Sequence, residues 1–125
     1  MSYNIFWHKK RETVFNSDAL YDEDGNLIDD TSIVWSDLNI TRNLCDMFCW
    51  AFDAKYWVTE IEGKTGAEAE PLVLAAIRKM ANNKDEAHTY DSPNGFGTYG
   101  GALRFLQGLL LECMKYHDMY LEIER

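Results

Sequence analysis

The segment Trp35–Leu44 constrains the fold more than any other part of this sequence, because the hydrophobic period changes within it. Residues 32–35 are mostly apolar and β-branched, as in a strand. From Ile40 onward, apolar residues recur every three to four positions, as on one face of a helix. The change predicts a strand followed directly by a helix, with Asn39 or Thr41 as the helix cap.

Strand and helix patterns are segregated along the rest of the chain. A capping-box pattern at Thr65–Glu68 predicts a helix start there, but Pro71 also allows a start near Glu70 with the proline in the first turn. The last helix has the broadest apolar surface, so we expect it to be central, with Leu106 in the core. Strand patterns cover residues 3–8, 12–15, 27–28, 32–35 and 120–124, and helix patterns begin at Ile40, at Thr65 or Glu70, and at Ala102.

This order predicts a single α+β domain over residues 1–125. Its small, mostly antiparallel sheet would combine the N-terminal strands with the C-terminal strand and pack against three helices. We expect the first and last strands to pair, because chain ends often lie close together. Residues 56–61 are interpreted as an aromatic connector and residues 82–85 as a polar loop.

Charge excludes one class of partner. The net charge is −9 over 125 residues, which disfavours direct binding to nucleic acid because phosphates require cations. An acidic chain can instead present carboxylates to a basic protein. The strongest acidic cluster surrounds a turn at Gly25 and comprises Asp22, Glu23, Asp24, Asp29 and Asp30.

The sequence shows neither the pattern of a membrane span nor that of a signal peptide. No apolar run approaches the ~20 residues of a membrane span, and the N-terminus lacks the apolar core of a signal peptide. We therefore expect no membrane partner and a location in the cytoplasm. The odd number of cysteines, three, is typical of reduced thiols in that compartment.

Two cysteine motifs invite a metal interpretation. Cys45 and Cys49 are one helical turn apart, as are Cys113 and His117, so four ligands could converge on zinc if the two helices lay antiparallel. All four also lie on or beside apolar stripes, where free cysteine behaves as a small hydrophobe. We interpret them as packing residues and expect no bound metal and no other cofactor.

Catalytic motifs are absent from the sequence pattern. There is no G-x-S-x-G nucleophile, and the glycines of Asn94–Gly97 lack the lysine of a phosphate-binding loop. His88 lies among Asp85, Glu86 and Asp91, where general acid–base chemistry is conceivable, but a solvated loop histidine is the simpler interpretation. We therefore disfavour an enzyme.

Two junctions combine helix-capping side chains with aromatic rings. The first precedes the helix after Ile40, and the second, at residues 91–101, precedes the last helix. Free N–H groups at helix starts bind anions or small polar ligands. If the junctions meet, they would form one polar pocket, for which the candidate ligand-binding residues are Trp35, Asn39, Thr41, Asn43, Asn94 and Tyr99.

The same junctions carry a family resemblance. Residues 38–43, 61–71 and 94–106 resemble the "LNITYN", "YGKTGAE" and "NGWGTY" motifs of small uncharacterised proteins encoded by bacteriophages and prophages. The chain differs in having Arg42 where an aromatic residue is usual, and in its cysteines at 45 and 49. The resemblance implies a phage or prophage context and no particular chemistry.

Two hypotheses follow for a non-enzymatic protein acting against host defences. In the first, it holds a small polar, nucleotide-like ligand at the paired helix starts. In the alternative, its acidic surface imitates DNA phosphates and blocks a basic host protein such as a nucleic-acid enzyme. The first requires convergent polar groups, whereas the second requires dispersed carboxylates on one face.

Overall fold

The described part of the chain, residues 2–9 and 33–125 of the computed structural model, contains three strands and five α-helices. Strands and helices are segregated, which confirms the predicted α+β class. The elements are β1 (Ser2–His8), β2 (Ile33–Thr41), a 3₁₀ turn (Arg42–Leu44), α1 (Cys45–Ala51), α2 (Trp57–Ile61), α3 (Gly66–Asn82), α4 (Lys84–His88), α5 (Tyr99–Lys115) and β3 (Tyr120–Glu124).

The sheet has the order β2-β1-β3, and both strand pairs are antiparallel. The first and last strands therefore pair, as predicted, with Trp7 opposite Leu121. A second link between them is the contact of His8 Nε2 with a Glu122 carboxylate oxygen at 3.0 Å, where both side chains are almost fully buried. Burial raises the pKa of Glu122 above its ordinary value, against the opposing effect of His8.

The helices cover the face of the sheet that carries Ile5 and Trp7, both completely buried. Trp7 Nε1 donates to Glu112 of α5 at 2.9 Å. The predicted central position of α5 is confirmed, because Leu106 and Leu109 are completely buried within the same core. Helix α3 packs along α5, so the two longest helices form the layer behind the sheet.

The predicted helix start at Ile40 is wrong. Strand β2 continues to Thr41, and Ile40 lies opposite Tyr3 in the β1–β2 ladder. Asn39 is consequently a strand residue, while the Thr41 side chain caps the 3₁₀ turn by accepting from the Asn43 N–H. The apolar residue at 40 suits the inner face of a strand as well as a helix stripe, and pairing with β1 decided between them.

The start of α3 follows the capping-box prediction. The Thr65 hydroxyl accepts from the Glu68 N–H at 3.2 Å, and the Glu68 carboxylate accepts from the Thr65 N–H at 3.0 Å. The alternative start near Glu70 is therefore wrong, and Pro71 lies inside the helix. The reciprocal cap satisfies two backbone donors before the proline is reached.

Two predicted connectors contain short helices, which add to the three helices that were predicted. Residues 57–61 form α2, whose Trp57, Val58 and Ile61 are completely buried. The predicted polar loop at 82–85 contains the start of α4. Each has five residues, too few for a periodic pattern to stand out.

Some predictions fall on residues outside the described ranges: the strands at 12–15 and 27–28, and the turn and acidic cluster around Gly25. Within residues 2–9 and 33–125, no helix combines the length and hydropathy needed to cross a membrane.

Candidate functional site

The two polar junctions meet. The Asn43 side-chain amide donates to the Phe96 carbonyl at 3.0 Å. Gly97, with φ +147°, packs so closely on the first junction that a Cβ would lie 3.2 Å from the Leu44 side chain and 3.4 Å from the Asn43 Cβ. The sequence prediction that these segments are neighbours is therefore correct. We call residues 41–44 together with residues 94–98 the joined junctions.

The N-terminus of α5 already holds a carboxylate of the same chain. Asp91 Oδ1 accepts from the Tyr99 N–H at 2.7 Å, and its other oxygen lies 2.8 Å from His88 Nδ1. The hydrogen bond from His88, reinforced by that backbone N–H, holds the pKa of Asp91 below its ordinary value. The Thr98 hydroxyl accepts from the Gly101 N–H at 3.2 Å. An external anion would have to compete with Asp91 for this helix start.

Asn94 and Tyr99 are used locally. The Asn94 side-chain oxygen accepts from the Ser92 hydroxyl and from the Phe96 N–H, the latter at 2.9 Å, which shapes the loop. Tyr99 is buried and its ring lies 4.8 Å from that of His88, so its predicted stacking face is enclosed. Phe96 was not among the predicted site residues, and its side chain is 70% exposed.

Trp35 and Asn39 are not brought to the joined junctions by their side chains. Both are exposed along β2, on the face of the sheet away from Leu38, whose side chain packs on Gly108 of α5. Trp35 is 60% exposed and its ring lies 4.7 Å from that of Phe6. Trp35 is six residue steps from Thr41, about 20 Å along the strand. Trp35 therefore belongs to the outer face of the sheet.

A second concave region lies beside α1 and was not predicted. Its volume is about 580 Å³, and we call it the α1 basin; its lining residues are Cys45, Asp46, Cys49, Trp50, Asp53, Ala54, Lys55 and Tyr90. A smaller cavity of about 260 Å³ lies between α1 and α3, and Asp53 lines both cavities. Seven of the lining residues fall within residues 45–55, and Tyr90 lies 35 positions beyond Lys55, so the concave shape depends on how that short segment turns and on one distant ring.

Asp53 is held in a left-handed conformation, with φ +54°. It ends α1, because its N–H donates to the Trp50 carbonyl at 3.2 Å and the Ala54 N–H donates to the Cys49 carbonyl at 3.0 Å. Glycine is usual at this position of a helix end, and aspartate tolerates it better than most residues. The turn directs the chain around the rim of the α1 basin.

The four residues for which the sequence left a zinc alternative separate into two places. The Sγ atoms of Cys45 and Cys49 are 3.9 Å apart, and both side chains are half-buried. Cys113 is completely buried in the core, where burial raises its thiol pKa to about 12, and His117 is exposed. In the described ranges, no three His, Cys, Asp or Glu side chains are placed to hold a metal ion together.

Comparison with known proteins gives no match to a family model, to a curated protein or to a solved structure. The resemblance to phage and prophage proteins thus stays a prediction from the motifs at residues 38–43, 61–71 and 94–106.

Proposed function

We propose that this chain is a non-enzymatic binding protein of the phage or prophage type, acting in counter-defence in the cytoplasm of the host bacterium. Its ligand is a small polar, nucleotide-like molecule held at the joined junctions. The observation that carries this proposal is the contact between Asn43 and Phe96, which unites two polar segments that are 53 residues apart.

The joined junctions offer recognition groups of three kinds. Phe96 presents an exposed ring on which a base can stack. Asn43 is exposed and its amide can both donate and accept. Arg42 adds a positive charge, and its Nε is buried without a hydrogen-bond partner in the described part of the chain. Because Asp91 already fills the start of α5, we assign an anionic group of the ligand to Arg42.

The contact between His88 and Asp91 is explained by a structural role, without a catalytic one. Asp91 caps α5 through the Tyr99 N–H, and His88 packs its ring on Tyr99. Both contacts stabilise the entry to the helix, which is the structural role expected of such groups. If His88 acted as a general base, a reacting group would also have to lie within hydrogen-bond distance of its Nε2 atom.

Thermal shift with a panel of nucleotides tests the ligand. A ligand at 100 times its Kd stabilises the folded state by about 2.7 kcal/mol, a readily measured shift in melting temperature. We expect Asn43→Ala and Phe96→Ala to abolish that shift while leaving the unliganded melting temperature nearly unchanged. Asn82→Ala, an exposed amide at the end of α3, is the matched control and should respond like the wild type. Absence of a shift with every nucleotide at saturating concentration would end the proposal.

A second candidate is an acidic inhibitor of a basic host protein. It is favoured by the charge of residues 10–32, which hold seven acidic and two basic side chains. Binding through exposed carboxylates weakens as ionic strength rises, because charges are screened beyond ~8 Å at physiological salt. A complex with a host nucleic-acid enzyme whose affinity did not depend on salt would exclude this mode of binding.

A further inference from the structure

The cysteine pair of α1 has a geometry of its own. Cys45 and Cys49 lie one turn apart on the same helical face, and their Sγ atoms are 3.9 Å apart. Both side chains are half-buried: they pack against the edge of the core and also line the α1 basin, a space of about 580 Å³. Cys113, by contrast, is completely enclosed. The cysteine pair is therefore accessible to a ligand in the basin.

The sulfur separation suits a bridging metal ion. An ion about 2.3 Å from each sulfur, an ordinary metal–thiolate length, would form an S–metal–S angle of about 116° at the observed separation. That angle is close to trigonal. Thiolates are soft ligands that select soft ions such as Cu(I).

The rest of the basin decides between candidate ions. Structural zinc takes four protein ligands, and among the described residues no third His, Cys, Asp or Glu side chain is placed to share an ion with this pair. Cu(I) is satisfied by two thiolates and one further ligand, for which the open basin leaves room. Asp46 and Asp53 on the basin wall favour the approach of a cation, and Lys55 offsets the negative charge of a bis-thiolate complex.

We propose that Cys45 and Cys49 form a binding site for a soft monovalent metal ion, represented by Cu(I). On binding, each thiol releases its proton to solvent and each sulfur forms one bond to the ion, whose oxidation state does not change. This replaces the interpretation of the pair as packing residues, and it is independent of the ligand proposed for the joined junctions.

A disulfide is a poorer account of the pair. An S–S bond is about 2.05 Å long, so the sulfurs would have to approach by nearly half their present separation within one helical turn.

Competition with a coloured Cu(I)–chelator complex tests the site on the reduced, full-length protein under anaerobic conditions. We expect the wild type and Cys113→Ala to withdraw one Cu(I) per chain. Cys45→Ser and Cys49→Ser should each weaken binding by more than about 100-fold, since loss of an outer-shell group alone costs about 10–100-fold. Melting temperatures show that the variants are folded.

Three outcomes would overturn the proposal. The wild type could fail to withdraw copper, both serine variants could retain the wild-type affinity, or Zn(II) could bind with the same stoichiometry and affinity as Cu(I). If Cys113→Ala does not fold, X-ray absorption at the copper edge of the wild type decides the matter. Sulfur neighbours at the metal–thiolate distance support the site, and their absence excludes it.

Discussion

The starts of α3 and α5 use the same local cap and serve different purposes. Each helix begins after a threonine whose hydroxyl accepts a backbone N–H at 3.2 Å, from Glu68 in one case and Gly101 in the other. At α3 the first two N–H groups donate to the segment between α5 and β3, Gly66 to the Met119 carbonyl and Ala67 to the His117 carbonyl. At α5 the neighbouring contacts come from side chains and an exposed loop.

The difference lies in what encloses each start. A Cβ on Gly66 would lie less than 3.0 Å from the backbone of Cys113, Tyr116 and His117, so main chain is pressed against main chain. Around α5 the enclosure consists of the Asp91 carboxylate, the Asn43 amide and the Phe96 loop. A start built from side chains can be changed with little loss of stability, which is what a binding site requires.

Glycine substitutions give the largest expected contrast. Gly66→Ala should lower the free energy of unfolding by about 3 kcal/mol or more, because the neighbouring backbone cannot move aside cheaply. Gly100→Ala in the first turn of α5 is the matched control, since no atom lies within 4 Å of its Cβ position. We expect it to be neutral or stabilising by up to about 1 kcal/mol. Urea unfolding measures both, and equal effects would contradict the comparison.

Threonine substitutions compare the two caps directly. Thr65→Ala should cost about 1–2 kcal/mol and Thr98→Ala about 0.5–1 kcal/mol, within the range measured for N-caps. Thr65 should cost more because its hydroxyl also contacts the Glu68 carboxylate at 3.0 Å. Unfolding free energies of the two variants rank the caps. A larger loss for Thr98 would show that α5 depends on its local cap more than α3 does.

Acid titration isolates the carboxylate at α5. Because the folded state holds the pKa of Asp91 below its ordinary value of 3.8, its ionised form stabilises the fold above that pH. The contribution is lost as pH falls through the lowered pKa. We expect Asp91→Asn to be less stable than the wild type at about pH 5, and the difference to shrink as the pH falls through the lowered pKa.

Asn43→Ala should have the smallest effect on stability. It removes one exposed hydrogen bond between the joined junctions, and such a bond contributes about 0.5 kcal/mol at the low end of measured values. The melting temperature of the unliganded protein should therefore change little. A loss above about 1.5 kcal/mol would mean that the junction is structural, and that a changed ligand response in this variant cannot be assigned to binding.

Local signals predicted much of the fold. Alternation identified β1 and β3, and a capping box identified the start of α3. The last helix was also identified, but α5 begins at Tyr99, three residues before the predicted Ala102. The failure at Ile40 arose because its apolar side chain suits a strand and a helix equally, and only the partner strand distinguishes them. The helices α2 and α4 were missed because one turn carries no period.

The candidate site was less predictable. The contact between Asn43 and the loop at Phe96 was predictable, because both junctions combine polar capping residues with aromatic rings. Trp35 lies away from that contact because β2 remains an extended strand from Trp35 to Thr41. The role of Asp91 could not be read from sequence, since it caps a residue eight positions later. The α1 basin depends on the turn at Asp53. The left-handed backbone conformation of this residue could not be predicted, because most aspartates do not adopt it.

The position of β1 in the middle of the sheet sets an order of events during synthesis. One neighbour of β1 is β3, whose last residue is Glu124. At about 5–20 residues per second, the ribosome needs on the order of 6–23 s after adding His8 before that neighbour exists. Until then the buried side of β1, with Ile5 and Trp7, lacks one of its two strand partners. The pairing of β1 is therefore completed only after β3 has been synthesised, however early β1 itself leaves the ribosome.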